Sequence, residues 1–408
     1  MAYQQIDGIR VWGSPDEGAL AQARTCAHTG NVVQTLLMAD HHQGYSQPIG
    51  GVVVYDGQIS PSGVGYDIGC GNKAVRTRLY AADIKPQLPK LMDTIARSIS
   101  FGIGRNNQER VDHALFDDPD WAVYQTLGKP VHDKLKTLAR DQLGTVGSGN
   151  HFVDLFEEEG TGRLWIANHF GSRGFGHRTA SGFLNLAAGR GFLDRAPGEQ
   201  MEQPPVLLDL DSELGDMYER AMRLAGRYAY AGRDYVMDQV LRILGTDADF
   251  EVHNHHNYAW REQHNGREVI VVRKGATPSA PGQTGFIGGS MGDISVIVQG
   301  KDSAENKEAF YSTVHGAGRI MSRTQAAGKM NWKTRARTGG QISKEQMMAA
   351  VTAFGVELRG AGTDESPFVY RSLRQVLDAH AETIDVLHTL KPIGVCMAGA
   401  EEFDPYKD

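Results

Sequence analysis

Residues 62–71 read SGVGYDIGCG. Four glycines and a serine leave one carboxylate, Asp67, and one thiol, Cys70, on a backbone with little side-chain cover. Glycine turns sharply and lets other groups approach the backbone, so the stretch reads as a loop that presents these two side chains. The other cysteines are Cys26 and Cys396, too distant in sequence for a zinc finger. A thiolate and a carboxylate three residues apart could instead reach two adjacent metal ions, with the sulfur between them.

Working outward, the same grammar recurs. Glycine makes up 49 of 408 residues, against a usual share of about 7%. It clusters in IGGVVVYDG (49–57), LGTVGSGN (143–150), HFGSRGFGH (169–177), FIGGSMGD (286–293) and HGAGR (315–319). Most of these clusters adjoin a His, Asp or Arg, which points to one site assembled from many loops. His151, His169, His256 and His315 each stand beside Gly or Asn at the edge of an apolar segment. Imidazoles, a thiolate and a carboxylate together suit borderline divalent ions such as zinc, manganese or cobalt. Arg173, Arg319 and Arg323 lie in or beside glycine clusters, where freed amides and guanidinium groups could grip phosphates. No G-K-[ST] follows a strand and no βαβ unit surrounds Gly171, so neither a Walker loop nor a dinucleotide-binding fold is indicated.

The bulk numbers agree with a globular enzyme. The net charge of −7 gives no global basic field, although a local basic cleft remains compatible with it. Three cysteines suggest no disulfide framework and a reducing, cytoplasmic setting. Cys26 and Cys396, in apolar company, read as buried small hydrophobes. The N-terminus has no signal-peptide shape, and no apolar run approaches the roughly 20 residues that cross a bilayer. Strands are expected at 32–40, 49–60, 163–170, 249–262, 267–275, 294–300 and 310–318. Helices are expected at 82–100, 130–144, 207–244, 343–358 and 370–390. The mixed order, without a Pro/Ser linker, favours an α+β fold over a doubly wound sheet.

Taken together, GVGYDIGCG, GSGNHF, GSRG, HHNY, RKGA, GSMG and TVHGAGRIMSR resemble, in order, the motifs of the RtcB family of RNA ligases. The resemblance runs from about residue 38 to residue 399. It implies a single α+β domain over residues 1–408, with mixed sheets flanked by helices around a central metal cleft and residues 400–408 as a tail. It implies joining of RNA 3′-phosphate or 2′,3′-cyclic phosphate ends to 5′-hydroxyl ends, with GTP and two Mn2+ ions, through a covalent histidine–GMP. Asp67, Cys70 and His151 would hold one ion, and Cys70, His169 and His256 the other. His315 matches the guanylylated histidine. Asn150, Phe152, Asp154, Ser290, Met291, Gly316, Gly318 and Tyr370 match nucleotide-binding positions, and Arg173, Lys274 and Arg319 match RNA- or phosphate-binding positions. Broken RNA, such as tRNA halves, would be the substrate, and an archease-type activating protein a partner.

Several positions depart from the family pattern. Ala398, in VCMAG, stands where the family has a lysine associated with nucleotide binding, and Asp154 stands where it has Glu. Tyr45 replaces the Lys of an early D-x-H-x-G-K stretch, of which Asp40, His42 and Gly44 remain. Gly288 replaces a Pro, and Lys407 in the tail could supply the cation missing at 398. These departures leave two other functions to weigh: a metal-dependent phosphodiesterase or phosphatase acting on RNA ends, and a non-catalytic RNA-end-binding protein.

Overall fold

The computed structural model describes residues 2–107, 109–196, 201–331 and 336–402. Lys407 falls outside them. Two large sheets organise the chain. The first has six strands, in the order Tyr3–Ile6, Ile9–Trp12, Val32–His42, Ile49–Tyr55, Arg267–Lys274 and Asn257–His264. The second runs Ala248–His255, Gly71–Tyr80, Arg163–Phe170, Phe152–Glu158, Ile384–Gly399, Ser295–Gly300 and Thr284–Ile287, with Glu357–Ala361 pairing parallel to Ile384–Gly399. The fold is a single domain of mixed α and β structure, as the element order suggests. No helix among the described residues is long and apolar enough to cross a membrane.

The shortest passage of the chain between the two sheets is at His256. Ala248–His255 belongs to the second sheet and Asn257–His264 to the first, so His256 alone lies between them. Its backbone N–H donates to the carbonyl of Cys70 (2.8 Å), and the Gly69 N–H donates to the carbonyl of Asn257 (2.8 Å). The seam is thus stitched to the glycine-rich loop that opened the sequence. Behind the second sheet runs the helix Glu213–Leu244. Ser212 caps its start by accepting from the Gly215 N–H, and Gly245 ends it in the left-handed conformation (φ 64°). Its buried face carries small residues, Ala225, Gly226, Ala229 and Gly232, that let its backbone approach the strands closely.

Three expectations need correction. Residues 370–390 do not form one helix: the helix is Leu373–Asp378, and Ile384–Gly399 is a strand inside the second sheet. Pro392 could not sit in a helix interior, and here it faces Phe156 across the ladder, beside a register shift. Strand partners on both sides outweigh the local helical spacing. The helix expected at 343–358 is Lys344–Phe354, stopped by Gly355 (φ 84°), and Glu357–Ala361 is a strand. The helical run from 207 starts only at Glu213, because Leu208–Asp209 pairs with Gln58–Ile59.

A candidate metal centre and its histidine

The second sheet gathers the ligand candidates at one end. Cys70 immediately precedes Gly71–Tyr80, His151 immediately precedes Phe152–Glu158, and His169 faces both strands, opposite Asn72 and Phe152. The Sγ of Cys70 lies 3.3 Å from His169 Nε2 and 3.7 Å from His151 Nε2. His151 Nε2 is 3.1 Å from Asp67 Oδ2, and His169 Nε2 is 3.2 Å from His256 Nε2. Two triads result, Asp67–Cys70–His151 and Cys70–His169–His256, sharing the one sulfur. The five ligand residues that the resemblance implies therefore converge, although Asp67 and His256 lie 189 residues apart in sequence (256 − 67).

The donor set fits metal ions. His151 Nδ1 is 3.0 Å from the carbonyl of Val146, and His169 Nδ1 is 2.9 Å from that of Asn150. Those carbonyls keep the proton on Nδ1 and turn the Nε2 lone pairs inward. Lone pairs of His169, His256 and the Cys70 sulfur then face one another in a buried space, an arrangement that a cation relieves. Burial holds the two imidazoles, His169 and His256, in the neutral form that binds metal. It pushes His169 down to about 3, aided by the nearby His151, and His256 well below the usual imidazole range. Burial and the Asp67 carboxylate push the Cys70 thiol up, so a divalent ion would have to displace its proton. Burial raises Asp67, but the His151 hydrogen bond and charge, with Arg173, more than offset this and hold the carboxyl below the usual range.

His315 stands beside this centre, its ring centroid 5.0 Å from that of His256. Its Nδ1 lies 2.6 Å from Oδ2 of the fully buried Asp40, which also accepts the backbone N–H groups of His315 (3.0 Å) and Gly316 (3.2 Å). The carboxylate favours the proton on Nδ1 and leaves the Nε2 lone pair available. Burial raises Asp40, but the His315 charge and these N–H groups outweigh it and hold Asp40 low. The turn needs Gly318: it has φ 72°, and a Cβ there would overlap the Asp40 carbonyl oxygen.

The remaining expected residues divide. Phe152 lies against the metal side, 5.4 Å from the His169 ring, and shares an apolar cluster with Met291 and Met397. Gly288 bridges Gly316, which sets Ser290 and Met291 near the His315 turn. Asn150 is exposed at the rim. Asp154 is buried, accepts from the Cys396 N–H (3.4 Å), and is pushed well above the usual carboxylate range by burial. Arg173 reaches His151 Nδ1 (3.4 Å). Arg319 is engaged: Nη2 is 2.6 Å from Glu365 Oε1 and donates to the Tyr370 hydroxyl (2.9 Å). The Lys274 ammonium donates to the Tyr45 carbonyl, so this lysine faces the segment where the family's early lysine is missing. Ala398, Ser148, Arg323, Asp364 and Glu402 line one narrow cleft. Cys26 and Cys396 are buried and unbonded to each other, as their apolar company implies.

Sequence reading noted Asp40 only as a retained residue of the early D-x-H-x-G-K stretch, with no role, and did not name Arg233. Asp40 lay in plain view beside His41 and His42, and the signal was an acidic residue ending an apolar strand. Arg233 gave no signal, because two of its partners are the carbonyls of Gly69 and Phe170, far away in sequence, and only the fold brings it to His253 and His255.

Comparison with known proteins adds an independent line. A family model described as tRNA-splicing ligase RtcB matches residues 22–398. The chain is 33% identical to the RNA-splicing ligase RtcB of Escherichia coli (strain K12), over 89% of each chain. It is 30% identical to the tRNA-splicing ligase RtcB of Thermococcus kodakarensis, over 92% of this chain and 91% of that one. It is 28% identical to RNA-splicing ligase RtcB homolog 1 of Entamoeba histolytica, over 93% of this chain and 84% of that one.

Proposed function

The chain belongs to the RtcB family, and from that premise we propose that it is an RNA ligase that seals 3′-phosphate or 2′,3′-cyclic phosphate ends to 5′-hydroxyl ends. GTP is the co-substrate, two Mn2+ ions are the cofactors, and broken RNA such as tRNA halves is the substrate. One observation carries the reading: His315, whose Nδ1 lies 2.6 Å from a buried carboxylate, stands beside two candidate metal triads that share one cysteine sulfur. A phosphodiesterase would use the triads alone, and an end-binding protein would use neither a nucleophile nor its orienting carboxylate.

In this reading Asp67, Cys70 and His151 hold one ion, and Cys70, His169 and His256 the other. When bound, the ions screen phosphate charge and stabilise displaced oxygens during in-line transfer. His315 Nε2 forms a bond to the α-phosphorus of GTP as the bond to pyrophosphate breaks, and Asp40 stabilises the cationic ring while it forms. The phosphoramidate is a good leaving linkage. The RNA 3′-phosphate takes the guanylyl group and frees His315, and the 5′-hydroxyl then displaces GMP. A cyclic phosphate must first gain water to open. Phe152, Met291, Ser290 and Tyr370 are proposed to frame the base, and Asn150 and Arg173 to meet phosphate. An archease-type activator remains part of the proposal.

The test is incubation with [α-32P]GTP and Mn2+, followed by denaturing gels. Acid-labile protein label in the native chain and none in His315→Ala, with metal content unchanged, is the expected result. Joining of RNA ends without any protein-bound nucleotide would overturn the covalent step.

A further inference from the structure

Arg233 is fully buried on the helix Glu213–Leu244, behind the metal centre. Its Nη1 donates to the carbonyls of Gly69 (2.9 Å) and Phe170 (2.6 Å). Its Nη2 donates to His255 Nδ1 (2.9 Å), and its Nε to His253 Nε2 (3.0 Å). The Tyr230 ring lies 5.1 Å beneath the guanidinium, and Asp234 sits 3.4 Å from the far nitrogen of His253. Gly69 precedes Cys70, Phe170 follows His169, and His255 precedes His256. One planar cation therefore holds the neighbour of every member of the Cys70–His169–His256 triad. It makes no hydrogen bond beside Asp67 or His151.

We infer that Arg233 is the positioning residue of one ion site, the Cys70–His169–His256 triad, and not of the Asp67–Cys70–His151 triad. This rests on the two-ion reading above. The fork geometry is what does it: two amines and Nε spread over several directions reach three backbone segments at once. A lysine ammonium keeps the charge, but it is a single point and cannot span Gly69, Phe170 and His255 together. Outer partners that orient metal ligands typically control affinity by about 10- to 100-fold.

The experiment is Mn2+ titration of the full chain, read by calorimetry and by electron paramagnetic resonance, which separates a coupled ion pair from an isolated ion. The native chain should take up two ions and show coupling. Arg233→Lys should keep one ion at native affinity, bind the second about 10- to 100-fold more weakly, and show an isolated-ion signal at one equivalent. Adding His256→Ala to Arg233→Lys should cost nothing at the retained ion, whereas adding His151→Ala should remove it. His253→Ala, which removes the Nε acceptor together with the His253 contacts to Asp234 and Tyr230 but touches no ligand, should weaken the same ion by a smaller factor. It decides the matter if Arg233→Lys does not fold. Equal weakening of both ions, or native binding of both in His253→Ala and Arg233→Lys, overturns the inference. A native chain that binds fewer than two ions overturns the two-ion reading itself, a result visible before any variant is made.

Discussion

Cys70 is one atom with two neighbours to serve. Its sulfur is within 3.7 Å of a histidine from each triad, so its removal should empty both sites where loss of His151 empties one. Cys70→Ala is expected to lose metal and RNA joining together, measured by elemental analysis and a ligation assay on the same preparation. Full joining activity in that variant contradicts the bridge. Asp40 acts one step away. Asparagine there keeps the size but can present an N–H to His315 Nδ1, which would move the imidazole proton to Nε2. Asp40→Asn should retain metal yet slow guanylylation by about a hundredfold or more, the scale of a misplaced proton. Unchanged labelling would mean the carboxylate does not set the tautomer. Ala398 is the third residue. It supplies no cation to its cleft, where Asp364 and Glu402 supply carboxylates and Arg323 the guanidinium. Competition for His315 labelling should show weak selection of GTP over other nucleotides, and Ala398→Lys should sharpen it by about tenfold, one charged hydrogen bond's worth. Strong selectivity unchanged by the substitution would place base reading elsewhere.

Elements are held together here by close backbone approach, and glycine tests it. Gly71 begins a strand next to Cys70, and a Cβ there would overlap the carbonyl oxygen of Asn254 on the neighbouring strand. Backbone cannot swing aside as a side chain can, so Gly71→Ala should destabilise by about 3 kcal/mol. Gly226 makes a contrast: its added Cβ would come 2.8 Å from the Tyr258 ring edge, which can tilt. The helix gains about 1 kcal/mol from alanine, against an overpacking cost of about 1–3 kcal/mol, so Gly226→Ala should lie near neutral. Urea unfolding of both variants checks the order. The same contrast explains what the sequence made legible. Cys70, His151, His169, His256 and His315 could be picked out because each abuts a glycine or asparagine at a strand mouth, a local signature. Strand 163–170 was legible as a short apolar run. Ile384–Gly399 was not, since its strand character comes from Phe152–Glu158 and Ser295–Gly300, more than eighty residues upstream. Arg233 was invisible for a related reason: half of its acceptors are main-chain oxygens, and no side-chain pattern records those.

The whole molecule carries buried neutral histidines, and their protonation couples to folding. His380 is the clearest case. It is fully buried, stacks on Trp12, and its Nε2 accepts the N–H of Ala39 (3.2 Å), which requires an unprotonated nitrogen. Burial pushes it down to about 4. A depressed pKa stabilises the fold above the unfolded value of about 6.5 and loses that stability as pH falls toward 4, because the unfolded chain binds the proton first. The loss from this group alone is about 2 kcal/mol at pH 5. His380→Phe keeps the stack and removes the titration, so its unfolding free energy should fall less between pH 7 and pH 5 than that of the native chain; equal slopes would contradict this. The long strand of the second sheet has a consequence of another kind. Ile384–Gly399 sits in the interior of the second sheet, between the strand that follows His151 and Ser295–Gly300. Its two neighbours are made more than eighty residues before it, so their facing edges stay unpaired during synthesis until it arrives. Until then the nascent polypeptide carries two open strand edges, each a template for pairing with another chain.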